Sequence, residues 1–266
     1  MQNAPPTRPQ QRDLRDNLEQ RLQAIRDVVV EALDSREHRP YTIKDKVMAI
    51  YMGAIRRDGM DFNLIGACID IGVQFHQGER RENNLPYISH PLEVGYILCE
   101  IGVPSATIGA GILHDTGENE RDSRFDELFG MDISAACRIL EPWRWEISEI
   151  IKLVSKPDSY YLEGMTRLQI KGAAIRQIIM ESGPLKSKAY AVKVADRLHN
   201  LLTLGSLKDK PSASAEERAA TTIKSTELVL PLARDVDMAY RGMGSGLLTY
   251  PYMCYLVGQL RFNRPS

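Results

Sequence analysis

The residues best suited to chemistry are His114 and Asp115, which follow the apolar residues 108–113 directly. A ring nitrogen and a carboxylate oxygen can bind the same divalent ion, and such groups are costly to bury unless a cation neutralises them. Glu118 follows four residues after His114, so a continuing helix would place it on the same side, near water held by such an ion. The stretch therefore suggests a metal site, although His-Asp alone is a common dipeptide.

His76 is a second candidate ligand. The apolar residues Phe62, Ile65, Ile69 and Val73 recur at helical spacing and predict a helix over residues 61–76 with His76 on its buried face. A core histidine bonded to a backbone carbonyl would explain a lone His equally well.

Asp196 is the third candidate, on a helix predicted over residues 187–204. Lys193 and Asn200 lie three and four residues away from it and share its polar face. That face is either a solvated surface or, if it turns inward, a metal ligand with phosphate-binding neighbours.

Together these side chains form a mixed nitrogen and oxygen set suited to Mn²⁺, Fe²⁺ or a similar ion, with positions left for water and substrate. Glu118 would accept the proton of the attacking water. Nearby cations would neutralise phosphate oxygens as charge develops. The set predicts metal-assisted phosphoester or pyrophosphate hydrolysis. The cations are Arg80, Arg81, Arg167, Lys193 and Arg197.

The elements that must position these residues are helical throughout. No alternating strand pattern persists, so the sequence predicts an all-α protein. Ser105 is expected to cap the helix that ends at His114. Gly242, Gly244 and Gly246 lack the Lys-Ser/Thr of a phosphate loop and indicate a hinge. Further helices are predicted over residues 12–33, 125–140, 141–154, 165–180 and 215–240.

Composition limits the class of protein. Hydrophobic residues make up 43% and charged residues 26% of the 266 residues, as in soluble globular proteins. The net charge of −1 provides no basic field for nucleic acid. No segment is typical of a signal peptide or membrane span, and four separated cysteines argue against a zinc-thiolate site. We therefore expect a cytoplasmic protein without nucleic-acid or membrane partners.

Three regions are expected along the chain. Residues 1–43 comprise a polar, proline-containing tail and the amphipathic helix 12–33, which either docks on the main domain or pairs with a second copy in a homo-oligomer. Residues 44–210 carry the candidate chemistry, and residues 211–266 form a C-terminal helical extension.

Four segments in order make the chain resemble a known family. They are FHQGERR (75–81), PYISHP (86–91), AGILHD (110–115) and VKVADRLHNL (192–201). In order and rough separation they resemble the HD-domain hydrolases of the RelA/SpoT homologue superfamily, most closely the small alarmone hydrolases that lack a synthetase domain. The segment TRLQ (166–169) also resembles the small hydrolases. The resemblance covers about residues 46–207.

The resemblance implies an HD-domain helical bundle that removes the 3′-pyrophosphate of guanosine tetra- and pentaphosphate (ppGpp and pppGpp), giving GDP or GTP, in the stringent response. It implies Mn²⁺ as cofactor and a guanosine alarmone as substrate. Glu118 matches the family's proposed activator of water. The implied metal ligands are His76, His114, Asp115 and Asp196, and Arg80, Arg81, Lys193 and Asn200 fall in segments that line the nucleotide pocket, with Arg167 in the TRLQ segment.

Asn119 departs from the family, which has an aspartate there, and Gly117 replaces a bulkier residue. An amide is no carboxylate base but can still position water or substrate, so we expect activity at a reduced rate or with shifted substrate choice. The length leaves no room for a full synthetase domain, which predicts hydrolysis only. Two alternatives stay open: another nucleotide substrate, such as an adenosine alarmone or NADPH, and a catalytically weak sensor or antitoxin-like module.

Overall fold

The computed structural model describes residues 50, 59–81, 85–117, 138–155, 164–204, 213–244 and 247–262. The chain divides into two compact units, Met1–Thr42 and Ile43–Ser266, and every described residue belongs to the second. Glu118, Asn119, the predicted helix 12–33 and nearly all of the predicted helix 125–140 lie outside the described residues. The domain boundaries drawn from the sequence stay a prediction.

The described part of the chain is all-α, as predicted. Its β structure is limited to one isolated bridge between Arg80 and Pro86. None of the described helices is both long and apolar enough to cross a membrane. The helices are α1 (Phe62–Phe75), α2 (Ser89–Ile101), α3 (Ser105–Leu113), α4 (Arg144–Val154), α5 (Arg167–Met180), α6 (Lys186–Thr203), α7 (Ala213–Ala239) and α8 (Thr249–Phe262), with short 3₁₀ turns at His114–Gly117 and Glu141–Trp143.

Helix α3 lies at the centre of the bundle and contacts α1, α2, α4 and α6. All nine of its residues are buried. Its small residues allow this close packing, since a Cβ atom at Gly109 would lie 2.7 Å from Sγ of Cys68 and one at Gly111 would lie 2.1 Å from Cδ1 of Leu98. The helix therefore delivers the residues that follow it, beginning with His114, into the core.

The predicted cap of α3 is wrong by one residue. Pro104 is the N-cap, and Ser105 is the first helical residue. The Ser105 hydroxyl instead accepts a hydrogen bond of 2.8 Å from the backbone N–H of Asp61. Asp61 itself caps α1, because its carboxylate accepts the backbone N–H of Leu64. These bonds join the starts of α1 and α3.

The C-terminal helices pack directly on the helix that carries Asp196. Both α7 and α8 contact α6, and α5 contacts α4, α6 and α7. Asp237 of α7 caps α8, since its two carboxylate oxygens accept the backbone N–H groups of Thr249 and Tyr250 at 2.7 and 2.9 Å. Helices α7 and α8 thus form part of the support for the helix that carries Asp196.

Candidate metal centre

His76 ends α1 with its ring held by a carboxylate. Its Nδ1 lies 2.8 Å from Oε2 of Glu79, and its ring stacks on Tyr87 with 4.7 Å between ring centroids. Its Nε2 is buried and has no hydrogen-bond partner among the described residues. The carboxylate partner fixes the proton on Nδ1, so Nε2 presents a lone pair.

His114 and Asp115 occupy the 3₁₀ turn that follows α3. Nδ1 of His114 lies 2.7 Å from the carbonyl oxygen of Gly111, and its Nε2 has no hydrogen-bond partner in the part of the chain that the structure describes. That Nε2 lies 3.1 Å from Oδ1 of Asp115 without forming a hydrogen bond. The other oxygen of Asp115, Oδ2, accepts a hydrogen bond of 3.0 Å from the Tyr87 hydroxyl. Tyr87 thus connects His76 to Asp115.

Asp196 faces inward from α6 and is only 7% exposed, which rules out the solvated-surface alternative. Asn200 donates a hydrogen bond of 2.6 Å to its Oδ1, and Nζ of Lys193 lies 3.4 Å from its Oδ2. Oδ1 of Asp196 is also 4.0 Å from Nε2 of His114. The polar face predicted for this helix therefore turns toward the His114–Asp115 turn.

His90 completes the cluster from α2. Its Nε2 lies 3.4 Å from Oδ1 of Asp196 and 3.7 Å from Oδ2 of Asp115. Ligand atoms of His90, His114 and Asp115 all lie within 4.8 Å of one another. On its other side, Nδ1 of His90 lies 2.7 Å from Nδ1 of His199.

The electrostatics of the cluster favour a cation. Burial lowers the pKa of His114, but the adjacent Asp115 carboxylate outweighs it and raises the pKa to about 9. Burial opposes ionisation of Asp196, yet Lys193 and His90 hold its pKa well below the usual range. Burial likewise lowers the pKa of His76 and of His90, which keeps both rings neutral. Two ionised carboxylates buried together need a neighbouring positive charge, and a divalent ion would supply it.

The donor set fits such an ion. Two imidazoles have Nδ1 held by an oxygen acceptor and a buried Nε2 that no other described residue contacts by a hydrogen bond, which is the pattern of metal-ligating histidines. His76 and His114 are those two, and Asp115 and Asp196 could provide oxygen ligands. Of the four side chains named from the sequence, the structure places His114, Asp115 and Asp196 in direct proximity and links His76 to Asp115 through Tyr87.

The predicted substrate residues divide into three groups. Lys193 and Asn200 contact Asp196 directly. Arg80 and Arg81 lie on the loop after His76, where Arg80 is exposed and Arg81 is half-buried with an Nη1 that lacks a partner within the described residues. Arg167 is the first residue of α5, and its side chain is outside what the structure describes.

Four residues of the site were not singled out from the sequence: Glu79, Tyr87, His90 and His199. His90, which the sequence analysis placed only within the segment PYISHP, stands in the second position of α2, behind the N-cap Ile88. For His199, the only indication in the sequence was its position three residues after Asp196, which places both residues on neighbouring positions of one helix. Its contact with His90 spans 109 residues and has no local signature.

The HD domain family matches residues 69–138, a segment that includes His76, His90, His114 and Asp115. The chain is 29% identical over 175 residues to a GTP pyrophosphokinase of Streptomyces coelicolor, covering 63% of this chain and 17% of the relative. It is 32% identical over 169 residues to a GTP pyrophosphokinase of Brucella melitensis, covering 62% and 19%. A putative chloroplastic GTP diphosphokinase of Oryza sativa subsp. japonica is 28% identical over 196 residues, covering 73% and 20%.

These matches are consistent with the HD-domain superfamily of the RelA/SpoT homologues, which the sequence resembles. The HD domain family includes metal-dependent phosphohydrolases, and the relatives are named for nucleotide chemistry, so the chain is related to nucleotide-processing enzymes. It spans about a fifth of the length of these curated relatives. Asp196 lies beyond the segment matched by the HD domain family and joins it through the packing of α6 on α3.

Proposed function

We propose that this chain is a metal-dependent hydrolase that removes the 3′-pyrophosphate of guanosine tetra- and pentaphosphate, giving GDP or GTP and pyrophosphate, and that it does not synthesise them. The observation that carries the proposal is the buried Nε2 of His114, which has no hydrogen-bond partner among the described residues and lies 3.1 Å from Asp115 and 4.0 Å from Asp196. The Nε2 of His76 is likewise buried and unpartnered within the described part of the chain, and its ring is connected to Asp115 through Tyr87. The relatives' names, GTP pyrophosphokinase and GTP diphosphokinase, support a pyrophosphorylated guanosine nucleotide as substrate.

His76, His114, Asp115 and Asp196 would hold the ion, and Mn²⁺ is the proposed metal. When bound, the ion supplies Lewis-acid chemistry to water and phosphate. Lys193 lies within 3.4 Å of Asp196 and is positioned to neutralise a phosphate oxygen beside that carboxylate. Glu118 is proposed as the proton acceptor and Asn119 as a residue that orients water or substrate.

We assign hydrolysis to the HD domain although the relatives are named as kinases. The alignment covers about a fifth of each relative, so the kinase name need not describe the part that this chain shares. A cytoplasmic location and a homo-oligomer formed through residues 12–33 stay predictions.

The first experiment measures pyrophosphate release from guanosine tetraphosphate by the full chain, with and without Mn²⁺. His114→Ala should abolish Mn²⁺-dependent turnover, and Glu118→Gln should lower kcat by about 10²–10⁴-fold, because a positioned proton acceptor contributes about that much. Glu149→Gln, in an exposed ion pair with Lys152, is the matched control and should match the parent.

Three other outcomes would contradict the proposal in distinct ways. Turnover of an adenosine alarmone or NADPH alone would assign another nucleotide. If the parent binds Mn²⁺ and nucleotide without turnover, and Asn119→Asp restores activity, the chain would be a catalytically weak binding module. Turnover that persists in His114→Ala would exclude the metal centre described here.

A further inference from the structure

A buried pair of histidines behind the candidate metal centre has no part in the function proposed above. His90 of α2 and His199 of α6 are 5% and 6% exposed, and their Nδ1 atoms lie 2.7 Å apart. The opposite nitrogen of His90, Nε2, lies between Oδ1 of Asp196 at 3.4 Å and Oδ2 of Asp115 at 3.7 Å. One imidazole therefore faces both carboxylates that would bind the ion.

The position of the ring proton follows from these neighbours. A neutral imidazole carries a single N–H. If that N–H pointed at His199, the Nε2 lone pair of His90 would face two carboxylate oxygens in the interior, where such repulsion is poorly screened. If the N–H is on Nε2, the ring donates toward both carboxylates, and its Nδ1 accepts the N–H of His199.

His90 differs in this respect from the two implied ligands. Nδ1 of His76 faces a carboxylate and Nδ1 of His114 faces a carbonyl, so each keeps a proton on Nδ1 and points Nε2 toward the centre. On His114, whose pKa is raised by Asp115, a bound ion would replace the Nε2 proton. Nδ1 of His90 faces another imidazole, which is able to donate. The three rings therefore divide into two lone-pair donors and one N–H donor.

We propose that His90 is a positioning residue and not a metal ligand: its Nε2–H holds the Asp115 and Asp196 carboxylates in the orientation that binds the ion, and His199 fixes its tautomer. The inference rests on the metal-dependent function proposed above. Hydrogen bonds of this kind to ligating carboxylates change metal affinity by about 10–100-fold.

Two variants of His90 separate the roles of its two nitrogens. In His90→Gln the amide nitrogen reaches the place of ring Nε2 and can still donate to the carboxylates. In His90→Asn the amide reaches only the place of Nδ1. Measured by calorimetry on the full chain, Mn²⁺ affinity should fall by less than about threefold in His90→Gln and by about 10–100-fold in His90→Asn.

The number of bound imidazoles gives a second readout that a merely structural role would not move. Pulsed electron paramagnetic resonance of bound Mn²⁺ should detect two imidazole ligands in the parent and in both variants. Three imidazoles in the parent would overturn the inference whether or not the variants fold, and so would equal Mn²⁺ affinity in all three proteins.

The outcomes also separate the inference from the proposed function. A parent that binds Mn²⁺ through two imidazoles but leaves guanosine tetraphosphate intact would contradict only the substrate assignment. A parent that binds no Mn²⁺ would overturn both.

Discussion

At the scale of single residues, Glu79 is expected to raise the Mn²⁺ affinity of the candidate centre through its contact with His76. Its carboxylate contacts Nδ1 of that ring at 2.8 Å and is 27% exposed. A carboxylate partner orients a ligating imidazole and raises its basicity. Glu79→Ala should therefore weaken Mn²⁺ binding by about 10–100-fold, as for other partners of metal-ligating histidines. Titration calorimetry measures this directly.

Glu79→Gln tests whether Glu79 acts by orienting the ring of His76 or through its negative charge. The amide oxygen can still accept the Nδ1 proton of His76, so affinity should lie between that of the parent and that of Glu79→Ala. A Glu79→Ala variant that binds Mn²⁺ as tightly as the parent would show that packing against Tyr87 alone orients the ring. Glu149→Gln serves again as the exposed control.

The sequence named the members of the site whose signal is local and missed those whose signal is not. His114 and Asp115 follow an apolar helix, and Asp196 stands between Lys193 and Asn200 at helical spacing. The roles of His90 and Tyr87 depend on contacts with residues far along the chain, such as the bond from the Tyr87 hydroxyl to Asp115, 28 residues away. Spacing within one element contains no information about such pairs.

At the scale of elements, the close approach of α2 and α3 depends on glycine. A Cβ atom at Gly111 would lie 2.1 Å from Cδ1 of Leu98, which is fully buried. Gly111→Ala should therefore destabilise the fold by about 1–3 kcal/mol, the usual cost of overpacking a core. The measurement is urea unfolding followed by far-UV circular dichroism.

The matched control is Gly258 in α8, where a Cβ atom would meet nothing within 4 Å. Because alanine costs less backbone entropy than glycine, Gly258→Ala should stabilise the protein by about 0.5–1 kcal/mol. If Gly111→Ala were as stable as Gly258→Ala, the separation of α2 and α3 would not be set by this contact.

Helix positions were predictable because apolar residues recur with the helical period, and α1, α5, α6 and α7 begin and end within about two residues of the predicted limits. The role of Ser105 was not predictable from the sequence. Its hydroxyl accepts from Asp61, 44 residues earlier, so a residue that looks like a local cap in fact joins two helices. Local pattern fixes the existence of an element, whereas its partners depend on packing.

At the scale of the whole molecule, the C-terminal helices and the site-bearing helices are expected to unfold together. Gly244 follows α7, has a φ of +67°, and approaches the end of α2 so closely that a Cβ atom would lie 2.2 Å from the backbone oxygen of Glu100. Gly244→Ala should cost about 2–5 kcal/mol, combining left-handed strain with a backbone clash. Gly242, with a φ of +79° and open space around it, is the control, and its alanine variant should cost only about 1–2 kcal/mol.

Two probes test whether the loss of stability in Gly244→Ala extends to all the described helices. Far-UV circular dichroism follows all helices, whereas tryptophan fluorescence reports on Trp143 and Trp145, at the start of α4 and distant in sequence from Gly244. Because α7 and α8 pack on α6, and α6 packs on α3 and α4, both transitions should shift to lower urea by the same amount in Gly244→Ala. A fluorescence transition that stays in place while part of the helical signal is lost earlier would contradict this expectation. It would favour the boundary near residue 210 that the sequence predicted, with the C-terminal extension folding as a separate domain.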